Sequence, residues 1–209
     1  MDLRLSRATT PLAALAVAGL ALGTAACSSK TSTANKPIAS LSSLSGVDTE
    51  VAVAPATLAA LTSLGVKPAP TGSAKLVMTY GPTLAFPITG GSVKVYDKTK
   101  VSPYVTGKID HNGSGLSFSK GATTLAVSDF VVDPGTSMLT ATVAGKPGFP
   151  LFFLDGSQLA INKDGAGDFK LDGTKVELTS QAAAALNSTL KVTAFQPRML
   201  IGIAHITAK

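Results

Sequence analysis

The chain has 209 residues, of which 45% are hydrophobic, 14% charged and 5% aromatic, with one Cys and no Trp. That hydrophobic content excludes a disordered chain, and a single Cys excludes a disulfide-stapled scaffold. The net charge of +6 comes from 18 basic and 12 acidic residues, but no two Lys or Arg are adjacent and Arg198 is the only Arg beyond Arg4 and Arg7, so a basic nucleic-acid interface is not expected.

At the start of the chain, Arg4 and Arg7 precede an apolar run from Pro11 to Gly23 that ends in Thr24-Ala25-Ala26 before Cys27. This is the layout of an export signal over residues 1–26. As a helix the run would rise only about 20 Å, short of the roughly 30 Å hydrocarbon core, so cleavage is expected in preference to spanning. The lone Cys directly after two Ala resembles the lipobox of bacterial lipoprotein signals, which implies acylation of Cys27 and anchoring at the extracytoplasmic face of the cell membrane. Thr24 stands where a Leu is usual, and ordinary cleavage after Ala26 fits the small residues as well. Residues 27–46, rich in Ser and Thr, are expected to form a flexible tether of about 25 Å, with Leu41 and Leu44 able to dock on the domain at its outer end.

Residues 47–209 read as one β-rich domain. Pro55 to Gly65 predicts a short helix, with Pro in the first turn, Leu at 58, 61 and 64, and Gly at the stop. From Ala74 onward, short runs rich in Val, Ile, Thr and Phe alternate with turn pairs such as Asn112-Gly113, Pro134-Gly135 and Asp172-Gly173. Strands are predicted near 74–80, 84–88, 91–97, 103–110, 115–120, 123–132, 137–144, 150–154, 158–162, 168–178 and 192–207. The clearest hairpin joins 123–132 to 137–144 through Asp133-Pro134-Gly135, with Leu139, Ala141 and Val143 on one face. A second helix is expected over the Ala-rich stretch Gln181 to Leu190, capped by Thr179 or Ser180. The segment Met199 to Ile206 is apolar on both faces and reads as a central strand in which Gly202 makes room for a neighbour. The expected architecture is mainly β, an antiparallel sandwich or open barrel with two short helices, one before the sheet and one before the last strand.

Catalytic motifs are missing from this pattern, and no enzyme activity is expected. Gly113-Ser114-Gly115 lacks the spacing of a nucleophile elbow, and Gly145-Lys146 is followed by Pro147 where a phosphate loop needs a hydroxyl. A metal site would have to recruit His111 and His205 from distant strands, together with carboxylates, and none is expected. The loop Asn162 to Asp168 fails as a calcium loop because Ala166 and Gly173 stand where oxygen ligands belong. Asp110, Asp129, Asp133 and Asp155 mostly adjoin turns, where a carboxylate bonds local amides. Phe149, Phe152 and Phe153 cluster enough to line a pocket, although core packing explains them as well.

The stretch Gly107-Lys108-Ile109-Asp110-His111-Asn112-Gly113-Ser114-Gly115-Leu116-Ser117-Phe118, followed by Leu125–Val132 and Leu139–Val143, resembles the middle of HtaA-type domains, β-rich haem-handling modules of the actinobacterial surface. The wider chain also looks like a group of uncharacterised actinobacterial cell-envelope lipoproteins. That likeness runs from Phe86-Pro87-Ile88-Thr89-Gly90-Gly91, through Leu178-Thr179 and Leu186-Asn187, to Ile201-Gly202-Ile203-Ala204. The first resemblance implies a Tyr that ligates haem iron and a His that supports it. His111 matches the His-bearing motif; the Tyr-bearing segment is not matched, and Tyr80 stands for the Tyr by position alone. Outside that resemblance, His111 before Asn112-Gly113 reads as a turn His bonded to backbone. The function expected is a lipid-anchored, non-enzymatic binding or structural module of the envelope with no cofactor, or alternatively one that captures haem or a small hydrophobic ligand.

Overall fold

The computed structural model describes residues 35–209. Cys27 and the expected signal segment lie outside the described residues. Thirteen strands and two helices follow in the order β1 (Ala39–Leu41), β2 (Val47–Val53), α1 (Pro55–Ser63), β3 (Lys67–Gly72), β4 (Lys75–Val77), β5 (Thr83–Pro87), β6 (Gly90–Val95), β7 (Val105–Lys120), β8 (Thr123–Asp133), β9 (Met138–Val143), β10 (Lys146–Asp155), β11 (Ala160–Lys163), β12 (Phe169–Leu178), α2 (Ser180–Leu190) and β13 (Leu200–Ala208). All strand pairings are antiparallel, in the order β1-β6-β7-β8-β9-β10-β12-β13-β2-β5-β4, with β11 added beside β12 and β3 beside β7. The sheet curls into a half-barrel.

Curling places alternate side chains of each strand in a common interior, the geometry that a period of two dictates. Val51, Val93, Ile109, Val127, Phe130, Val132, Leu171, Val176, Ala204 and Ile206 are all buried in that core. Strand β13 lies between β12 and β2, as its apolar character on both faces requires. Gly202 sits there because a Cβ would fall 2.2 Å from the Ala52 carbonyl oxygen. The β8–β9 hairpin turns at Asp133 to Ser137, where the Asp133 carboxylate accepts from the Thr136 amide at 3.2 Å.

Helix α2 packs against β8 and β10 and buries Ala182, Ala183, Leu186 and Leu190. Its first turn is capped by Thr179, whose Oγ1 accepts from the Ala182 amide at 3.0 Å and donates to the Pro150 carbonyl at 2.6 Å. One hydroxyl therefore ties the helix start to β10. Helix α1 packs against β13 and β3, and Thr57 donates to the Leu200 carbonyl.

Four expectations about local structure are corrected. The domain begins before residue 47: Ile38 donates to the Val95 carbonyl, β1 pairs with β6 and Leu44 is only 3% exposed, so apolar burial captures the outer part of the expected tether. Val47–Val53, assigned no strand from sequence, is β2 and pairs with both β13 and β5. Asn112-Gly113 is not a hairpin turn but an irregularity inside the long β7, whose register against β8 shifts between His111 and Gly115. The last strand starts at Leu200 and not at 192, because Asn187 brackets the backbone of Phe195 with hydrogen bonds of 2.8 and 3.1 Å and holds the preceding segment in a loop.

Candidate functional site

The half-barrel interior is incompletely filled. A cavity of about 330 Å³ opens between Tyr104, Leu139, Leu154, Leu159, Leu171 and Ile206. Its walls come from the inward faces of β2, β7, β8, β9, β10, β12 and β13, so the alternation that builds the core also sets the chemistry of the lining. That volume falls at the lower end of the ~300–1,000 Å³ usual for small-molecule sites, which are mostly apolar with a few polar groups.

Next to this chamber lies a polar contact in otherwise apolar surroundings. His111 on β7 is 1% exposed, and its Nε2 is 2.8 Å from Thr49 Oγ1 on β2. These strands are not neighbours in the sheet, so the hydrogen bond spans the interior. The Phe86 ring meets the imidazole edge-on at 6.4 Å and Phe130 at 5.2 Å. Burial pushes the His111 pKa down to about 4, against the opposing pull of the Phe130 and Ile109 backbone carbonyls. His111 is therefore neutral at pH 7. It is a strand residue of the interior, not the turn His that Asn112-Gly113 suggested.

Tyr80 lies elsewhere. On the loop between β4 and β5 it is 52% exposed, and its partner is His205, not His111. The two rings stack with centroids 4.0 Å apart at 19°, and His205 Nδ1 lies 3.0 Å from the Asp172 carboxylate. Asp172 and His205 are register partners on β12 and β13, so the sheet itself fixes this contact. Leu76 on β4 and Met78 on the β4–β5 connection are also exposed. The structure thus separates the two residues that resemblance put together and gives Tyr80 a His that the motif did not indicate. His205 was visible only as a second His in a strand.

Other sequence candidates have local roles. Asp164 accepts from the Ala166 and Asp168 amides at 2.9 and 3.0 Å, a turn stabilised by its own carboxylate, whose pKa those bonds lower. Asp129 likewise accepts from the Gly113 amide at 2.9 Å and braces the β7 irregularity. Phe152 points into the interior, whereas Phe153 lies under the Arg198 guanidinium at 3.8 Å. Arg198 also contacts Glu177 at 2.8 Å, a clasp on the outer side. Among the described residues no group of three or more His, Cys, Asp or Glu side chains is arranged for a metal, and no helix is long and apolar enough to cross a membrane. No family model, curated protein or solved structure matches the chain.

Proposed function

We propose that this chain is a non-enzymatic binding module of the bacterial cell envelope, fastened to the outer face of the membrane through acylated Cys27, and that it holds a small hydrophobic ligand inside its half-barrel. The observation that carries the reading is the apolar chamber of about 330 Å³ walled by Leu139, Leu154, Leu171 and Ile206. Folding ordinarily packs interiors to crystal-like density, so a chamber of this size is a departure that ligand binding accounts for. Two acyl chains on Cys27 would suffice for stable retention at the membrane, since each buried methylene contributes about 0.8 kcal/mol.

Titration of the full-length chain with 1-aminoanthracene tests the ligand site. Saturable fluorescence enhancement at one site per chain is expected, with loss in Ala204→Phe, which projects a ring into the chamber. Absence of binding, or unchanged binding in a folded Ala204→Phe variant, would refute it. Intact-mass measurement on the membrane fraction tests the anchor, with a diacylated or triacylated Cys27 at the N-terminus expected.

A second reading, haem capture, is favoured by one observation: the exposed Tyr80 phenol is stacked on a His that a carboxylate orients. In that reading Tyr80 ligates iron and His205, not His111, supports it, with Leu76 and Met78 offering an apolar face to the macrocycle. Hemin titration with no Soret shift would dispose of it.

A further inference from the structure

Further spaces flank the large chamber on two sides. Outside it, a groove of about 950 Å³ runs between the outer edges of β1 and β11, and Tyr104 and Leu159 line both groove and chamber. Inward, the chamber shares Thr49, Val51, Val132, Leu139 and Val176 with a small space of about 40 Å³, a waist that Phe86, His111 and Phe130 also line. Beyond the waist, Leu84, Leu116, Phe152 and Ile201 are shared with a further cavity of about 210 Å³ that lies beneath α1 and α2.

We propose that this succession of spaces is one linear site for an unbranched fatty acid, with the carboxylate at the groove beside Lys98 and Lys163 and the hydrocarbon chain threaded through the waist toward α2. The proposal rests on the reading of the interior as a ligand site and names the class of ligand. Three observations support it.

The first is shape. Groove, chamber, waist and far cavity share lining residues in succession, an elongated course that suits an unbranched chain, and the waist of about 40 Å³ is far below the ~300 Å³ of a compact-ligand pocket. The second is wall chemistry. Among the waist residues the polar side chains are His111 and Thr49, whose Nε2 and Oγ1 bond to each other while His111 Nδ1 is buried without a partner, and the neutral imidazole leaves no charge facing the chain. The third is the rim. Lys98 and Lys163 line the groove, while its acidic residue Asp97 is engaged by Lys100 at 3.2 Å and by Thr99, so the local field favours an anion.

The test is displacement of 1-aminoanthracene from the full-length chain by straight-chain fatty acids of increasing length. Affinity should rise about fourfold per methylene, the equivalent of ~0.8 kcal/mol, and go on rising for chains longer than the large chamber holds. Leu58→Trp, a substitution at a half-buried α1 position lining the far cavity, should leave short chains unaffected and flatten the rise for long ones. Lys98→Ala with Lys163→Ala should weaken every length severalfold without changing the slope. The wild-type length series decides the matter even if Leu58→Trp fails to fold. Probe binding without length dependence, or a folded Leu58→Trp with the wild-type series, overturns the linear site and leaves the interior-binding reading standing; no probe binding defeats both. Displacement by phosphatidylglycerol vesicles at lower acyl concentration than by free acids would assign the chain to a membrane lipid and overturn the fatty-acid assignment.

Discussion

Tyr80 and His205, far apart in sequence, lie ring on ring at 4.0 Å, and Asp172 fixes the imidazole at its Nδ1 edge. Because Asp172 and His205 are paired across β12 and β13, the imidazole is positioned by the sheet, whereas Tyr80 reaches it from the loop between β4 and β5. Tyr80 is exposed and His205 half-buried, so any chemistry of this pair belongs to the outer surface. The buried His111–Thr49 bond belongs to the interior.

If haem is bound at this surface, Tyr80→Ala should abolish the Soret shift on hemin titration and His205→Ala should weaken binding by an order of magnitude. His111→Gln should leave both unchanged, because His111 is buried away from Tyr80. Visible absorbance of the three variants checks this, and loss of binding in His111→Gln alone would reverse the assignment.

His111 should make stability depend on pH. Its folded pKa of about 4 lies below the ordinary 6.5, so between these values the unfolded chain binds more protons than the folded one. The stabilisation is fully present above about pH 6.5, falls as pH drops toward about 4 and is flat below that. The full effect is on the order of 3 kcal/mol. Urea denaturation at pH 7.5 and 4.5 should show a larger loss in wild type than in His111→Gln, which keeps a donor for Thr49 but does not titrate.

Thr179 links α2 to β10 through one hydroxyl. Thr179→Ala should cost about 1–2 kcal/mol, from the lost cap and the unpaired carbonyl, and Thr179→Ser should recover most of it. Chemical denaturation midpoints measure both.

Gly202 admits no side chain without moving the Ala52 backbone. Gly202→Val should destabilise by about 1–3 kcal/mol or more, since overpacking between two paired strands has no flexible group to displace. Thermal unfolding of the variant against wild type tests the value.

Much of the sheet was legible because turn pairs and period-two alternation are local signals. The β8–β9 hairpin, α2 with its Thr179 cap and the central place of β13 all followed from residues within a few positions of one another. Strand β3 was not legible because Pro68 and Pro70 argue against a strand, yet β3 is an edge that pairs only with β7 and has no second ladder to supply. Strand β2 was missed although Thr49, Val51 and Val53 alternate with Asp48, Glu50 and Ala52. Its polar members weakened the strand signal although the residues were placed in the domain, and only pairing with β13 and β5 gives it a place. The interior chamber and the Tyr80–His205 stack arise from curling of the sheet, which brings together residues of widely separated strands, and no local pattern encodes either.

The most direct test of an interior ligand site is a methyl NMR titration of the full-length chain with dodecanoate. Shifts should concentrate at the inward-facing Leu139, Val176, Ala204 and Ile206, which wall the large chamber, and leave the exposed Met78 and Leu200 unmoved. Shifts confined to Met78 and Leu200, or no shifts at saturating ligand, would contradict the account.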